Sequence, residues 1–410
     1  MILKARTIRV AEENTLLASA LVSKRQEGVV QQALEFVRVH MGMEISYLSE
    51  FVGEAVIIRN VSAPGLEKVV TVGTVVPWQE AYCPHVMSGQ LPELIRDTDD
   101  VPFAQTIPFT STLPVRAYVG VLILRHDGSP YGMFCCLSRT PKSTLNDRDL
   151  DVMRAFATLS SETINAGLSD AAKQNEIRDR LHDVMDRKLF GIVYQPIFCS
   201  ATLQPVGFEA LSRFSSGPYR TPDVWFAEAY CVGLHVDLEV CVIEVALGAL
   251  AALPTDIYVS VNASPEVVCS GRLHDVFTRF QPERIVLEIT EHAAISCYDT
   301  LIFEIQRLSF IGVRVAIDDA GAGYAGLQHI VKLRADLIKL DMSLTSGIDG
   351  DVIKRSLTTA MVGFAHETDA KIVAEGVETE CELKTLLDLG VDLVQGYLLG
   401  KPMGFDKAAL

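Results

Sequence analysis

No stretch of this 410-residue chain approaches the ~18 uninterrupted apolar residues that a membrane-spanning helix requires. The opening MILKARTIRVAEEN lacks the apolar centre of a secretory signal, so a cytoplasmic protein with no membrane insertion is expected. Positive charge is also short. Thirty-six Lys and Arg face 52 Asp and Glu, a net charge of -16, and residues 171–410 hold 21 basic against 33 acidic side chains. Binding to a nucleic-acid duplex is therefore not expected, because phosphate contacts need a basic face, whereas an acidic pocket that gathers metal ions fits. The nine cysteines include no CxxC pair, which argues against a thiolate metal site or a redox motif of that spacing, and they read as buried, reduced thiols. Low-complexity tracts and short-period repeats are missing. With 49% hydrophobic and 21% charged residues, the chain is globular and long enough for about two domains.

What is present is organised around Val313 to Tyr324, VRVAIDDAGAGY. Val313, Val315, Ala316 and Ile317 form a strand-like apolar run that ends at Asp318, Asp319 and a Gly-rich turn. Adjacent acids at a buried strand end raise each other's pKa unless a cation or metal stands beside them, so such a partner is expected.

The first half predicts an α+β domain. Val29 to His40 places apolar residues at helical spacing, and the strand-like segments EISYLSEF and EAVIIRNV follow. Strands AYVGVLILR and YGMFCCLS flank the turn signal HDGSP, and a helix starts near Asn146. With the Cys83 to Gly89 stretch, the Asp97 to Phe103 loop and the strand pair around Gly120 and Gly132, residues 20–166 resemble a GAF sensory domain. That resemblance implies the sensing of a small ligand without naming it. Cys83 and His85 read as packing and hydrogen-bonding residues, because no second ligand for a haem or chromophore stands at fixed spacing. Residues 167–188 predict a helical linker: Ser169 to Lys188 lacks Gly and Pro and carries an apolar seam at Ile177, Leu181 and Val184.

Beyond residue 188 the pattern repeats: an apolar strand, a polar residue at its end, then a helical stretch. The strand ends present Gln195; Glu209 and Arg213; Asn262; Glu288 and Glu291; Asp318 and Asp319; Lys339 and Asp341; Glu375 and Glu378; and Gln395. Their spacing scatters around the ~30 residues per unit of a (β/α)8 barrel, in which the carboxyl ends of the strands share one mouth. Glu209, Asn262, Glu288, Asp318 and Asp319 form an all-oxygen set that suits Mg²⁺ or Mn²⁺ and disfavours zinc, with Lys339 supplying compensating positive charge.

In order, GFEALSRF, SVNAS, VLEITE, AIDDAGAGY, LIKLD, IVAEGVE and QGYLLGKP resemble the EAL-domain phosphodiesterases over residues 185–405, with the barrel itself placed at 189–405. The resemblance implies an α/β fold, a modified (β/α)8 TIM-like barrel with one antiparallel strand, working as a homodimer. It also implies hydrolysis of cyclic di-GMP to linear pGpG with two metal ions. Glu209, Asn262, Glu288 and Asp318 would hold the first ion, and Asp318, Asp319 and Glu375 the second. Gln195, Leu211, Arg213 and Gln395 would line the substrate, Lys339 would hold the attacking water, and Glu375 would act as ligand or general base. No GGDEF-like sequence is present, so cyclase activity is not expected. Where the family turn reads close to DDFGTGYSSL, this chain has the smaller Ala320, Ala322, Ala325 and Gly326. That departure sets a second reading beside hydrolysis, a non-catalytic cyclic di-GMP receptor that signals through partner proteins.

Overall fold

The computed structural model describes residues 28–217, 220–290, 297–320 and 332–408. These divide into two compact units between Lys173 and Gln174.

The first unit is built on an antiparallel sheet of six strands: β1 (Ile45–Val52), β2 (Ala55–Ser62), β3 (Val75–Pro77), β4 (Leu94–Ile95), β5 (Ala117–Leu124) and β6 (Pro130–Ser138), in the order β3-β2-β1-β6-β5-β4. Both faces are covered, which explains the nearly continuous apolar sequence of β6. Met133, Cys135 and Leu137 point into a core shared with Tyr82, Cys83 and Val86 of the helix Tyr82–Met87. Phe134 and Cys136 point the other way, into a core with Leu34 and Val37 of the helix at residues 28–40 and with Met153 and Ala157 of the helix Asp147–Asp186. The short β3 and β4 carry too few residues for a sequence signal.

The helix Asp147–Asp186 is 40 residues long and runs without a break through the segment expected to be a linker. Residues 167–176 on it are exposed. Leu181 and Val184 are instead fully buried against Phe190, Phe214 and Trp225, so the apolar seam belongs to the core of the second unit. Arg180 closes the contact, 2.6 Å from Glu228 and stacked over the Trp225 ring.

The second unit is a closed barrel of β7 (Phe190–Cys199), β8 (Pro205–Phe214), β9 (Tyr258–Ala263), β10 (Ile285–Thr290), β11 (Arg314–Ala320), β12 (Leu337–Leu340), β13 (Lys371–Ala374) and β14 (Leu393–Val394). Strands β8 to β14 are parallel, and β7 is antiparallel to both neighbours, β8 and β14, as the resemblance implied. A further short strand, β15 (Met403–Gly404), pairs with β7. Ile197, Tyr258, Val286, Ala316, Leu337, Val373 and Leu393 form one buried cluster. Each stands two residues from a polar residue on the same strand or its end, so by the period-2 rule this apolar layer lies under a polar one. Gly207 has no side chain because the Tyr258 ring takes that space: a Cβ there would lie 2.5 Å from the ring.

All nine cysteines are free thiols. The expectation that they are buried holds for Cys83, Cys135 and Cys136, whereas Cys231, Cys297 and Cys381 are exposed, a difference that scattered single residues do not signal in sequence. Among the described residues no helix is long and apolar enough to cross a membrane.

Candidate active site

The polar layer sits at the carboxyl ends of the parallel strands, where β-strand alternation sends Glu288, Asp318, Lys339, Glu375 and Gln395 inward above the apolar floor. Its centre is Lys339, 2% exposed. The ammonium lies 2.6 Å from Glu288 Oε2, 2.7 Å from Glu375 Oε1, 3.0 Å from Asp318 Oδ1 and 3.7 Å from Glu209 Oε1. Burial alone would lower its pKa, but Asp318, Glu209, Glu288 and Glu375 together hold it well above the usual lysine value, so it stays charged. One ammonium cannot compensate four carboxylates. Burial pushes Glu288 up to about 8, with Lys339 opposing and Glu209 and Asp318 adding to the rise. Burial likewise raises Glu375 well above the usual range, against the pull of Lys339.

The amides complete the ring. Gln395 Nε2 donates to Glu209 Oε2 at 2.8 Å, and Asn262 Nδ2 donates to Glu209 Oε1 at 3.2 Å. Gln195 is buried and donates to the Gly400 carbonyl at 3.3 Å, while the buried Gln395 Oε1 has no partner among the described residues. Leu211 is half-buried and Arg213 exposed, two and four residues beyond Glu209 on β8, with the guanidinium donating to the Ser212 carbonyl at 2.7 Å.

Strict alternation would send the Asp319 side chain away from that of Asp318. Instead, the pairing of β11 with β12 slips between Ile317 and Ala320, and Asp319 adopts a left-handed backbone with φ 57°. Asp tolerates this conformation better than most residues, and a bulge re-aims a side chain. In consequence Asp318, Asp319 and Glu375 each offer an oxygen within 4.8 Å of the others. Three convergent carboxylate oxygens, beside carboxyls whose pKa values show unmet demand for positive charge, fit a hard divalent cation.

Two supporting residues escape sequence reasoning. Ser260 donates to Glu288 Oε1, and only its place two residues before Asn262, hence on the same face, could have pointed to it. Thr345 donates to the Glu375 carbonyl across 30 residues of sequence and carries no signal at all. Of the remaining strand-end acids, Asp341 caps the short helix Met342–Thr345, and Glu378 is exposed beyond the ring. Glu291 and the turn from Gly321 to Gly326, with Ala322 and Ala325, lie outside the described residues.

With this geometry in view, comparisons with known proteins are direct. A model of the EAL domain matches residues 174–402, and a model of the GAF domain matches residues 25–164. The bifunctional diguanylate cyclase/cyclic di-GMP phosphodiesterase MucR of Pseudomonas aeruginosa is 29% identical over 247 residues, 57% of this chain and 36% of that protein. The probable cyclic di-GMP phosphodiesterase PdeA of Escherichia coli is 33% identical over 204 residues, 47% of this chain and 28% of that protein. The chain thus spans about a third of the length of these curated relatives. A solved structure of the PaMucR phosphodiesterase in complex with c-di-GMP is similar with a TM-score of 0.51 at 29% identity, covering 57% of this chain and 99% of that one. The barrel, its inverted first strand and the matched segments together make this chain a member of the EAL domain family, with a GAF domain preceding the barrel.

Proposed function

We propose that the barrel hydrolyses one phosphodiester bond of cyclic di-GMP to give linear pGpG, using two divalent cations, Mg²⁺ or Mn²⁺. The observation that carries this reading is the ring of four carboxylates around the buried Lys339, together with the Asp318, Asp319 and Glu375 oxygens that converge beside it. Glu209, Asn262, Glu288 and Asp318 would hold one ion, and Asp318, Asp319 and Glu375 the other. When bound, such ions stabilise charge at phosphorus and provide a nucleophile at neutral pH. The chain's own groups do the rest. Lys339 neutralises charge that develops on the reacting oxygens, Gln195, Leu211 and Gln395 line the base of the substrate site, and Arg213 offers its planar fork to a phosphate oxygen from the rim. Glu375 serves as a ligand or as the general base. The likeness to a phosphodiesterase solved with c-di-GMP supports the choice of substrate.

Incubation with cyclic di-GMP and Mn²⁺, followed by separation of the nucleotides, tests the reading. Linear pGpG should accumulate, and a chelator should abolish it. Glu209→Gln and Asp318→Asn each replace a carboxylate by a neutral amide of the same shape and should lower turnover by ~10² to 10³, the equivalent of several kcal/mol of lost charge stabilisation. Tight binding of cyclic di-GMP without any product would establish the receptor reading instead. The GAF domain is proposed to regulate this reaction through a ligand of its own, in a cytoplasmic homodimer whose stoichiometry analytical ultracentrifugation measures.

A further inference from the structure

We infer that Cys83 and Cys135 form a dithiol inside the GAF domain that a small peroxide oxidises to a disulfide, a modification site independent of the chemistry of the barrel. Cys83 lies on the helix Tyr82–Met87 and Cys135 on β6, 52 residues apart in sequence, yet their sulfurs are 3.7 Å from each other. Both are fully buried.

Within the apolar core they share, hydroxyl groups stand beside both sulfurs. The Tyr118 hydroxyl lies 3.4 Å from Cys135 Sγ, and the Tyr47 and Ser49 hydroxyls each lie 3.9 Å from Cys83 Sγ. Burying the Tyr47 and Tyr118 hydroxyls against two sulfurs is costly if packing is their only task, whereas the same groups stabilise a thiolate; the Ser49 hydroxyl is held by the Met133 backbone. The two thiols are also unequal. The hydrogen bond from Cys135 lowers the Cys83 pKa, assisted by Tyr47 and Ser49, while burial raises that of Cys135 well above the usual value. Cys83 sits on the short helix and Cys135 within the sheet, so Cys83, the sulfur that opening of the helix uncovers, attacks and Cys135 resolves.

The chemistry balances with hydrogen peroxide as the two-electron oxidant. The Cys83 thiolate attacks one peroxide oxygen, the O–O bond breaks, and the leaving hydroxide takes the proton that Cys83 released, giving a sulfenic acid and one water. The Cys135 sulfur then displaces hydroxide from the sulfenic acid, the S–S bond forms, and the Cys135 proton joins that hydroxide as a second water. Two thiols lose two electrons and peroxide becomes two waters. The sulfurs close from 3.7 Å to the ~2.05 Å of a disulfide. Peroxide reaches the buried pair by local opening of the helix Tyr82–Met87, which has only 6 residues and no side-chain N-cap, and that opening is part of the proposal. Cys136, next in sequence, provides an internal control. It faces the opposite core, with its sulfur 3.9 Å from Met153 Sδ.

The test uses the full chain with Cys199, Cys231, Cys241, Cys269, Cys297 and Cys381 each changed to Ser, so that only the buried Cys83, Cys135 and Cys136 remain. After treatment with hydrogen peroxide, the titratable thiols should fall by two per chain. Peptide mapping should find the Cys83 and Cys135 peptides joined, and dithiothreitol should separate them, with Cys136 still reduced. Cys135→Ser should instead leave a sulfenic acid on Cys83 that dimedone traps. Unchanged thiols, unlinked sulfinic acids at both positions, or oxidation of Cys136 at the same rate would each overturn the inference. None of these measurements involves cyclic di-GMP, so their failure is distinct from failure of the proposed activity. If Cys135→Ser does not fold, the joined peptide in the parent still decides.

Discussion

Lys339 has no other place to send its charge: it is buried, touches three carboxylates and stands within reach of a fourth. Lys339→Met keeps the length of the side chain but removes the ammonium. It should retain metal and lose ~10²- to 10³-fold in kcat, the typical effect of deleting a preorganised group that stabilises transition-state charge. An unchanged kcat with a raised KM would make the lysine a binding residue instead. Glu288 sets a pH dependence whose sign can be worked out. Its carboxyl ionises near 4.5 ordinarily and at about 8 in the folded, metal-free chain. Between those values the folded state holds the proton that the unfolded state has released, so metal-free stability falls as pH rises across that window. A cation requires the carboxylates, so Mn²⁺ affinity should rise with pH, with Glu288 contributing to the rise up to about 8. Calorimetric titration of chelator-stripped protein measures this, and a flat profile would remove Glu288 from the ligand set.

At the scale of single elements, the end of β13 shows how a turn fixes a catalytic side chain. Gly376 follows Glu375 with φ 64°, and a Cβ there would lie 2.6 Å from Met342 Cβ. The left-handed backbone and the close approach both require glycine. Gly376→Ala should destabilise the barrel by ~2 to 4 kcal/mol, combining the left-handed penalty with local overpacking. Urea unfolding would show it, and adding Met342→Ala should not rescue it, because the atom that clashes is the Cβ that alanine keeps. If Gly376→Ala unfolds at the same urea concentration as the parent, the turn is not what holds Glu375. The bulge in β11 is the counterpart on the other side of the site. Without it Asp319 would face away from Asp318, and the three-carboxylate cluster would lose a member.

For the molecule as a whole, the helix Asp147–Asp186 is the covalent route by which the GAF domain can influence the barrel. Its C-terminal turns are already part of the barrel, because Leu181 is fully buried and Arg180 pairs with Glu228. A break at those positions would damage the barrel as well as the coupling. Ala171 and Ala172 are exposed, and replacing both by Gly costs only about 1 kcal/mol each in helix propensity. The double variant should keep basal hydrolysis and lose any response to a GAF-domain signal, a coupling usually worth about 5- to 150-fold. Rate assays on parent and variant, with peroxide as the trial signal, measure this. An identical response in both would show that the helix does not transmit it.

The sequence by itself determined the parts whose causes are local. Alternation and strand-end polarity placed Gln195, Glu209, Asn262, Glu288, Asp318, Lys339, Glu375 and Gln395 at one mouth, because strand period and barrel closure leave inward residues little choice. The helix at residues 28–40 and the strands of the first sheet were legible for the same reason. Tertiary structure decided what depends on contacts between distant segments. The slip in β11 that turns Asp319 inward and the Thr345 hydroxyl that holds Glu375 have no local periodicity to announce them, and the periodicity through Ser260 and Leu181 does not say which partner or core they meet. The Cys83 and Cys135 pair is the extreme case: two cysteines 52 residues apart in sequence, whose meeting exists only because a short helix packs across the sheet.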